Sequence, residues 1–210
     1  MKNNFPTKIP VFPLSGVIYF PKTNLPLNIF EQRYLDLVND TIKKDKLMGI
    51  VQAKGAESDI YKIGCLGKIS NYEKTKDGRM LINLTGITRF EIKKEILNQK
   101  KYREFEVLYE KFNIDCDNQK KEILKEEVLY LLLEKSKKFF NKNGLILNWQ
   151  EFKKLELLQQ INTISMIAPV SNEEKQKLLE TITLEEKLDT LISIIEFYLH
   201  DNSQRKNTLQ

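Results

Sequence analysis

Residues 9–34 read IPVFPLSGVIYFPKTNLPLNIFEQRY, and how this stretch is read decides the fold of the first half of the chain. Four prolines (Pro10, Pro13, Pro21 and Pro26) punctuate short apolar runs, with Gly16 among them. Each proline fixes φ and removes a backbone donor, so the segment is not a helix. It reads as short strand pieces, VFPL and VIYF, joined by tight bends at a sheet edge, where proline is tolerated. After Pro26 the pattern changes. LNIFEQRYLDLVNDTIKKDK runs into a helix, with Tyr34, Leu35, Val38 and Ile42 at helical spacing.

Working outward, MGIVQAK (48–54) reads as a strand and GAESDIY as a loop. CLGKISNYEKTK and RMLINLTG alternate around Asp77-Gly78, a hairpin signal in which both turn residues are expected at positive φ. Ile69, Tyr72, Leu81 and Ile82 are its expected apolar positions. Gly86 ends or bulges the second strand. TRFEIKKEIL and YREFEVLYEKF alternate again. Beyond them the period becomes helical. One stripe runs over 119–140 (Ile123, Leu124, Val128, Leu131, Leu132, Phe139) and stops at Asn143-Gly144. Asn148, with Glu151 three residues on, caps a helix that uses Trp149, Phe152, Leu155, Leu158 and Ile161 and ends at Pro169. Ser171–Glu174 and Thr183–Glu186 are capping boxes for two more helices. Strands followed by helices define an α+β class.

The ordered prolines, followed by a helix, resemble the opening of the Lon protease N-terminal domain, the Lon substrate-binding domain. IYKIGCLGKISNYEKTKDGRMLINLTGITRFEI resembles the second stretch of that family, in which an "IG" step enters a strand, a hairpin comes after it, and a G-x-x-R-F strand is next (here Gly86, Arg89 and Phe90). The resemblance covers residues 9–112 and, more loosely, the helical remainder. It implies a β-rich lobe over 9–113, a twisted, partly closed sheet around one helix like the PUA-like pseudo-barrels. A helical bundle over 114–200 would match the part C-terminal to that lobe in stand-alone bacterial relatives. Residues 1–8 would be a flexible N-terminus and 201–210 a polar tail.

Composition narrows the function classes. The longest apolar run, VLYLLL at 128–133, is far short of the roughly 20 residues a membrane helix needs. The N-terminus lacks the apolar core of a secretory signal, so the cytoplasm is the expected compartment and no membrane partner is expected. Cys65 and Cys116 have no metal-type spacing and read as free thiols. The net charge of +5 suggests nucleic acid, but only five of the 34 basic residues are arginine, and the lysines alternate with glutamates as on a solvated helix face.

The search for chemistry finds no nucleophile held in place. No GxxxxGK[ST] loop is present to cradle ATP; GCLGKI has the wrong spacing and no hydroxyl residue. His200 lies far in sequence from both cysteines, and Ser203-x-x-Lys206 falls in the polar tail. No cofactor, metal or catalytic residue is therefore assigned, and the chain is expected not to be an enzyme. The resemblance implies substrate recognition without the motor and peptidase of a Lon protease. The expected partner is a polypeptide: an unfolded or substrate protein, or a protease or chaperone. The candidate peptide-binding residues are Phe20, Pro21, Pro26, Leu27, Phe30 and Tyr34, whose alternative role is packing the first helix on the sheet. Arg33 with Arg89 is a second candidate constellation, for which a structural salt bridge is expected rather than a ligand contact. Two further readings stay open: an RNA-binding PUA-like protein, and a cryptic hydrolase.

Overall fold

A computed structural model describes residues 5–116 and 126–200, excluding the side chains of 56–58 and 126. The stripe positions Ile123 and Leu124 lie outside the described residues, as does the Ser203-x-x-Lys206 match. The chain forms two compact units, Met1–Lys120 and Lys121–Gln210. The first carries strands β1 (Lys8–Leu14), β2 (Asn24–Ile29), β3 (Leu47–Lys54), β4 (Ala56–Lys74), β5 (Met80–Ile96) and β6 (Arg103–Leu108), with helix α1 (Gln32–Ile42) between β2 and β3. A 3₁₀ segment, Glu110–Cys116, comes after β6.

The sheet closes on itself. β1 pairs in parallel with β3 and antiparallel with β6; β3 pairs with β4, β4 with β5, and β5 with β6. These five strands form a ring, so each has both edges hydrogen-bonded over part of its length, the usual solution to the edge problem. β2 stands outside the ring and pairs with the first half of β5, from Asn24↔Thr85 to Ile29↔Met80. Inside the ring, Ile9, Val11, Val51, Leu66, Phe90, Phe105 and Val107 form one buried cluster. Phe90 fills the centre because two facing strands have no side chain there. A Cβ on Gly49 or on Gly64 would lie 2.8 or 2.7 Å from its ring.

Several expectations are corrected. Val17–Phe20 is not a strand: Ile18, Tyr19 and Phe20 are buried, but the run joins no ladder. Residues 24–29, which read as the approach to the helix, form β2, and α1 begins only at Gln32. Of GAESDIY, only Gly55 is a bend; the rest belongs to β4 rather than to a loop. The hairpin is where the sequence places it, but only Gly78 has positive φ (87°). Its N–H donates to the Thr75 carbonyl, and the Thr75 N–H donates to the Arg79 carbonyl. That is a three-residue loop with glycine in the left-handed position, which requires no positive φ of Asp77. Tyr72 and Leu81 face outward instead of inward. A bulge between Ile69 and Asn71 offsets the alternation ahead of Tyr72.

The second unit is helical: α2 (Glu126–Lys142), α3 (Trp149–Phe152), α4 (Leu157–Ile167), α5 (Asn172–Glu180) and α6 (Leu184–His200). Gly144 (φ 70°) lies just beyond the end of α2. The Asn148 side chain accepts from the Glu151 N–H, and Ser171 with Glu174 makes a reciprocal capping box. Thr183 and Glu186 make the same pair of bonds at α6. The helix expected from Trp149 to Pro169 is broken into α3 and α4. Gln160 reaches back across the break, donating to the carbonyls of Leu155 and Lys153.

Candidate functional site

The six residues singled out from the sequence do not form one surface. The chain bends between Phe20 and Asn24, with Lys22 at φ 59°. The bend is strapped to β5: the Lys22 N–H donates to the Gly86 carbonyl, and the Gly86 N–H donates to the Thr23 carbonyl, both at 2.9 Å. A Cβ on Gly86 would fall 2.2 Å from the Phe20 carbonyl oxygen, so only glycine permits this approach. Phe20 and Pro21 are buried by that contact. Tyr34 is also buried, its ring 3.9 Å from that of Phe12. All three therefore pack within the lobe, and of them Tyr34 alone also contributes to the wall of a cleft among the described residues.

Pro26, Leu27 and Phe30 remain accessible. Pro26 is exposed and Leu27 half-buried on β2, the strand outside the ring, where a proline without a donor does no harm to the ladder. Phe30, at the corner where β2 turns into α1, is 66% exposed. Of its chain neighbours only Ile29 is buried; Asn28, Glu31 and Gln32 are exposed with it. In the helical unit, Tyr130 and Leu131 on α2 and Phe197 on α6 are also exposed, while Leu132 and Leu133 are buried.

A cleft of about 470 Å³ opens against the first turn of α1, lined by Pro13, Arg33, Tyr34, Glu95, Lys101, Tyr102 and Arg103. Arg103 donates to both Glu95 oxygens, Nε and Nη2 each at 2.8 Å. This hydrogen bond holds the Glu95 carboxyl below its usual range and raises the Arg103 guanidinium. Arg33 donates to Glu31 and lies 4.5 Å from the centre of the Tyr34 ring. Tyr102 donates to Asp40 at 2.8 Å, and burial, ahead of its hydrogen bonds, pushes its hydroxyl up. Sequence reasoning did not bring these residues together, because they come from β1, α1, β5 and the stretch that leads into and opens β6. The run KKYR at 100–103 is the one local signal of it.

Arg89 is placed as expected. Nε and Nη2 reach Asp115 at 2.9 and 2.7 Å, its backbone N–H donates to the same carboxylate, and its guanidinium lies 4.4 Å from the centre of the Phe112 ring. Both side chains are almost fully buried, at 3% and 4% exposure. Gly64 and Gly67 of GCLGKI are interior positions of β4, not a phosphate loop. Among the described residues, no group of three or more His, Cys, Asp or Glu side chains could hold a metal ion. No helix among them is long and apolar enough to cross a membrane.

This fold is one that a known family of domains shares. The family model described as the ATP-dependent protease La (LON) substrate-binding domain matches residues 8–196, and the chain belongs to that family. Among similar proteins, a Lon protease of Syntrophus aciditrophicus is 25% identical over 210 residues, covering 92% of this chain and 25% of the relative. A Lon protease of Cytophaga hutchinsonii is 29% identical over 104 residues, covering 47% of this chain and 13% of the relative. The chain thus spans about a quarter or less of the length of these relatives. The fold is shared with the Lon N-terminal domain protein of Xanthomonas campestris (TM-score 0.66, 20% identity, 90% of this chain and 98% of that one).

Proposed function

We propose that this chain is a non-catalytic polypeptide-recognition module that takes up apolar segments of unfolded or substrate proteins, or of a protease or chaperone partner, without nucleotide. In this reading the β-rich lobe over 9–113 carries the binding, at the corner formed by Pro26, Leu27 and Phe30. The observation that carries it is Phe30: a large aromatic side chain, 66% exposed, beside a strand that the barrel leaves outside its ring. A partner segment can lie along that strand and bury the ring. Membership in a family described as a substrate-binding domain supports the same reading.

Fluorescence anisotropy of labelled, unfolded casein tests it. Saturable binding is expected without ATP. Burying a phenylalanine ring is worth about 1.5–3 kcal/mol, so Phe30→Ala is expected to weaken binding roughly tenfold or more, with an unchanged melting temperature because the ring is exposed. Equal affinity in wild type and Phe30→Ala, or no binding at all, would sink the proposal.

A further inference from the structure

The cleft beside α1 carries charge that the apolar reading does not use. Its lining holds three cations, Arg33, Lys101 and Arg103, and one carboxylate, Glu95. Glu95 answers Arg103, and Glu31, just outside the lining, answers Arg33. Lys101 is exposed and pairs with no other described residue. Asp40, also outside the lining, is engaged by the Tyr102 hydroxyl. The walls therefore hold one cation without a counter-charge, next to two guanidinium groups that are each already paired with a carboxylate and add to the positive potential around it.

We propose that this cleft takes a single carboxylate of the bound polypeptide, an aspartate or glutamate lying a few residues from the apolar anchor. The inference rests on the polypeptide reading above and adds a charge rule to it. Arg33 lies three residues after Phe30, so their Cα atoms are no more than about 11 Å apart, a span an extended peptide covers in about three or four residues. The volume suits a short segment of chain, within the roughly 300–1,000 Å³ of ligand clefts.

A nucleic acid fits the same walls poorly. Base stacking needs an open aromatic face. The Tyr34 ring is buried against Phe12 with Arg33 over it, and the buried Tyr102 ring has the Lys100 ammonium 5.0 Å from its centre. Glu31 and Glu95 would also repel a run of phosphates, whereas a lone carboxylate needs only the one unanswered cation.

The test uses two rhodamine-labelled decapeptides, acetylated and amidated, with a Phe-Leu anchor and either Glu or Gln four residues on. Wild-type protein is expected to bind the Glu peptide at least fivefold more tightly at low salt, with the difference shrinking at high salt. Lys101→Glu and Arg33→Gln should each remove the preference while leaving affinity for the Gln peptide unchanged. Equal affinity for the two peptides overturns the inference, as does a preference that survives both substitutions. If casein binds in a Phe30-dependent way but neither decapeptide binds, or the two bind alike, the carboxylate rule falls and the apolar reading stands. If casein binding is absent or indifferent to Phe30, the apolar reading itself has failed. Displacement of the Glu peptide by a uridine dodecamer, lost in Lys101→Glu, overturns the inference in favour of a nucleic-acid site.

Discussion

Gly86, Arg89 and Phe90 lie within five residues of one strand and do three different jobs. Gly86 admits the backbone of the Phe20–Asn24 bend, Phe90 fills the ring, and Arg89 faces the other way to hold Asp115. The last pair has the highest stakes, because a buried charge that loses its partner keeps its desolvation cost. Asp115→Asn is expected to destabilise the first unit by about 3–5 kcal/mol, since it leaves the Arg89 guanidinium buried without a counter-ion. Replacing both partners with apolar side chains, Arg89→Met with Asp115→Leu, should recover most of that loss. Urea unfolding tracked by circular dichroism measures both; a double variant no more stable than Asp115→Asn alone would contradict this account.

At the scale of elements, the β4–β5 hairpin carries a pH-dependent clasp. Hydrogen bonding, first from Arg79 and then from Thr75, lowers the Asp77 carboxyl from 3.8 to about 2. A carboxylate whose value is depressed by folding contributes stability that is present above its ordinary range and is lost as pH falls through the folded value. The amides of Gly78 and Arg79 should therefore lose exchange protection between about pH 4 and pH 2, ahead of the ring strands, because the clasp sits at a solvent-exposed turn. Asp77→Asn should abolish that pH dependence; a hairpin that opens over the same pH range without Asp77 would disprove the assignment. The same hairpin shows what was legible in the sequence. Asp77-Gly78, Asn148, Ser171 and Thr183 act through partners within a few residues, so their turns and caps could be read directly. β2 could not, because its ladder is made with Met80–Thr85, more than 50 residues away, and its proline argues against a strand taken alone. Val17–Phe20 misled in the opposite sense, since an apolar run predicts burial but not a ladder. The break between α3 and α4 is satisfied by the Gln160 side chain, which periodicity does not register. The site was half legible for the same reason. Phe30 could be nominated as one of the aromatics and prolines leading into α1, but the burial of Phe20, Pro21 and Tyr34 depends on Gly86 and Phe12, and the cleft on four separate segments.

At the scale of the whole molecule, the two units differ in how far apart their contacts lie along the chain. The barrel is completed by β1 with β6 and by β2 with β5, pairings that enclose long loops. In the helical unit α4, α5 and α6 pack on helices close in sequence, and although its most extensive packing, α2 on α6, is non-local, that span is shorter than the one β1 and β6 close. Non-local pairing slows folding by orders of magnitude at similar stability. The lone tryptophan, Trp149, has the Phe140 and Phe152 rings 5.8 and 5.5 Å away and reports on the helical unit. On dilution from urea, Trp149 fluorescence is expected to reach its native value before pulsed hydrogen exchange finds the β5 amides protected. Simultaneous recovery, or protection of β5 first, would contradict the ordering.

The seam between β1 and β6 has a mechanical consequence. Lys8, at the start of β1, sits opposite Glu106, near the end of β6, so the chain enters and leaves the barrel side by side. Tension between those two points would not load the seam in shear. In an antiparallel pair pulled from one end, the rungs part singly, Lys8–Glu106 first and then Ile9–Phe105. The barrel is thus closed on itself yet hung from the chain at a seam that unzips rather than shears.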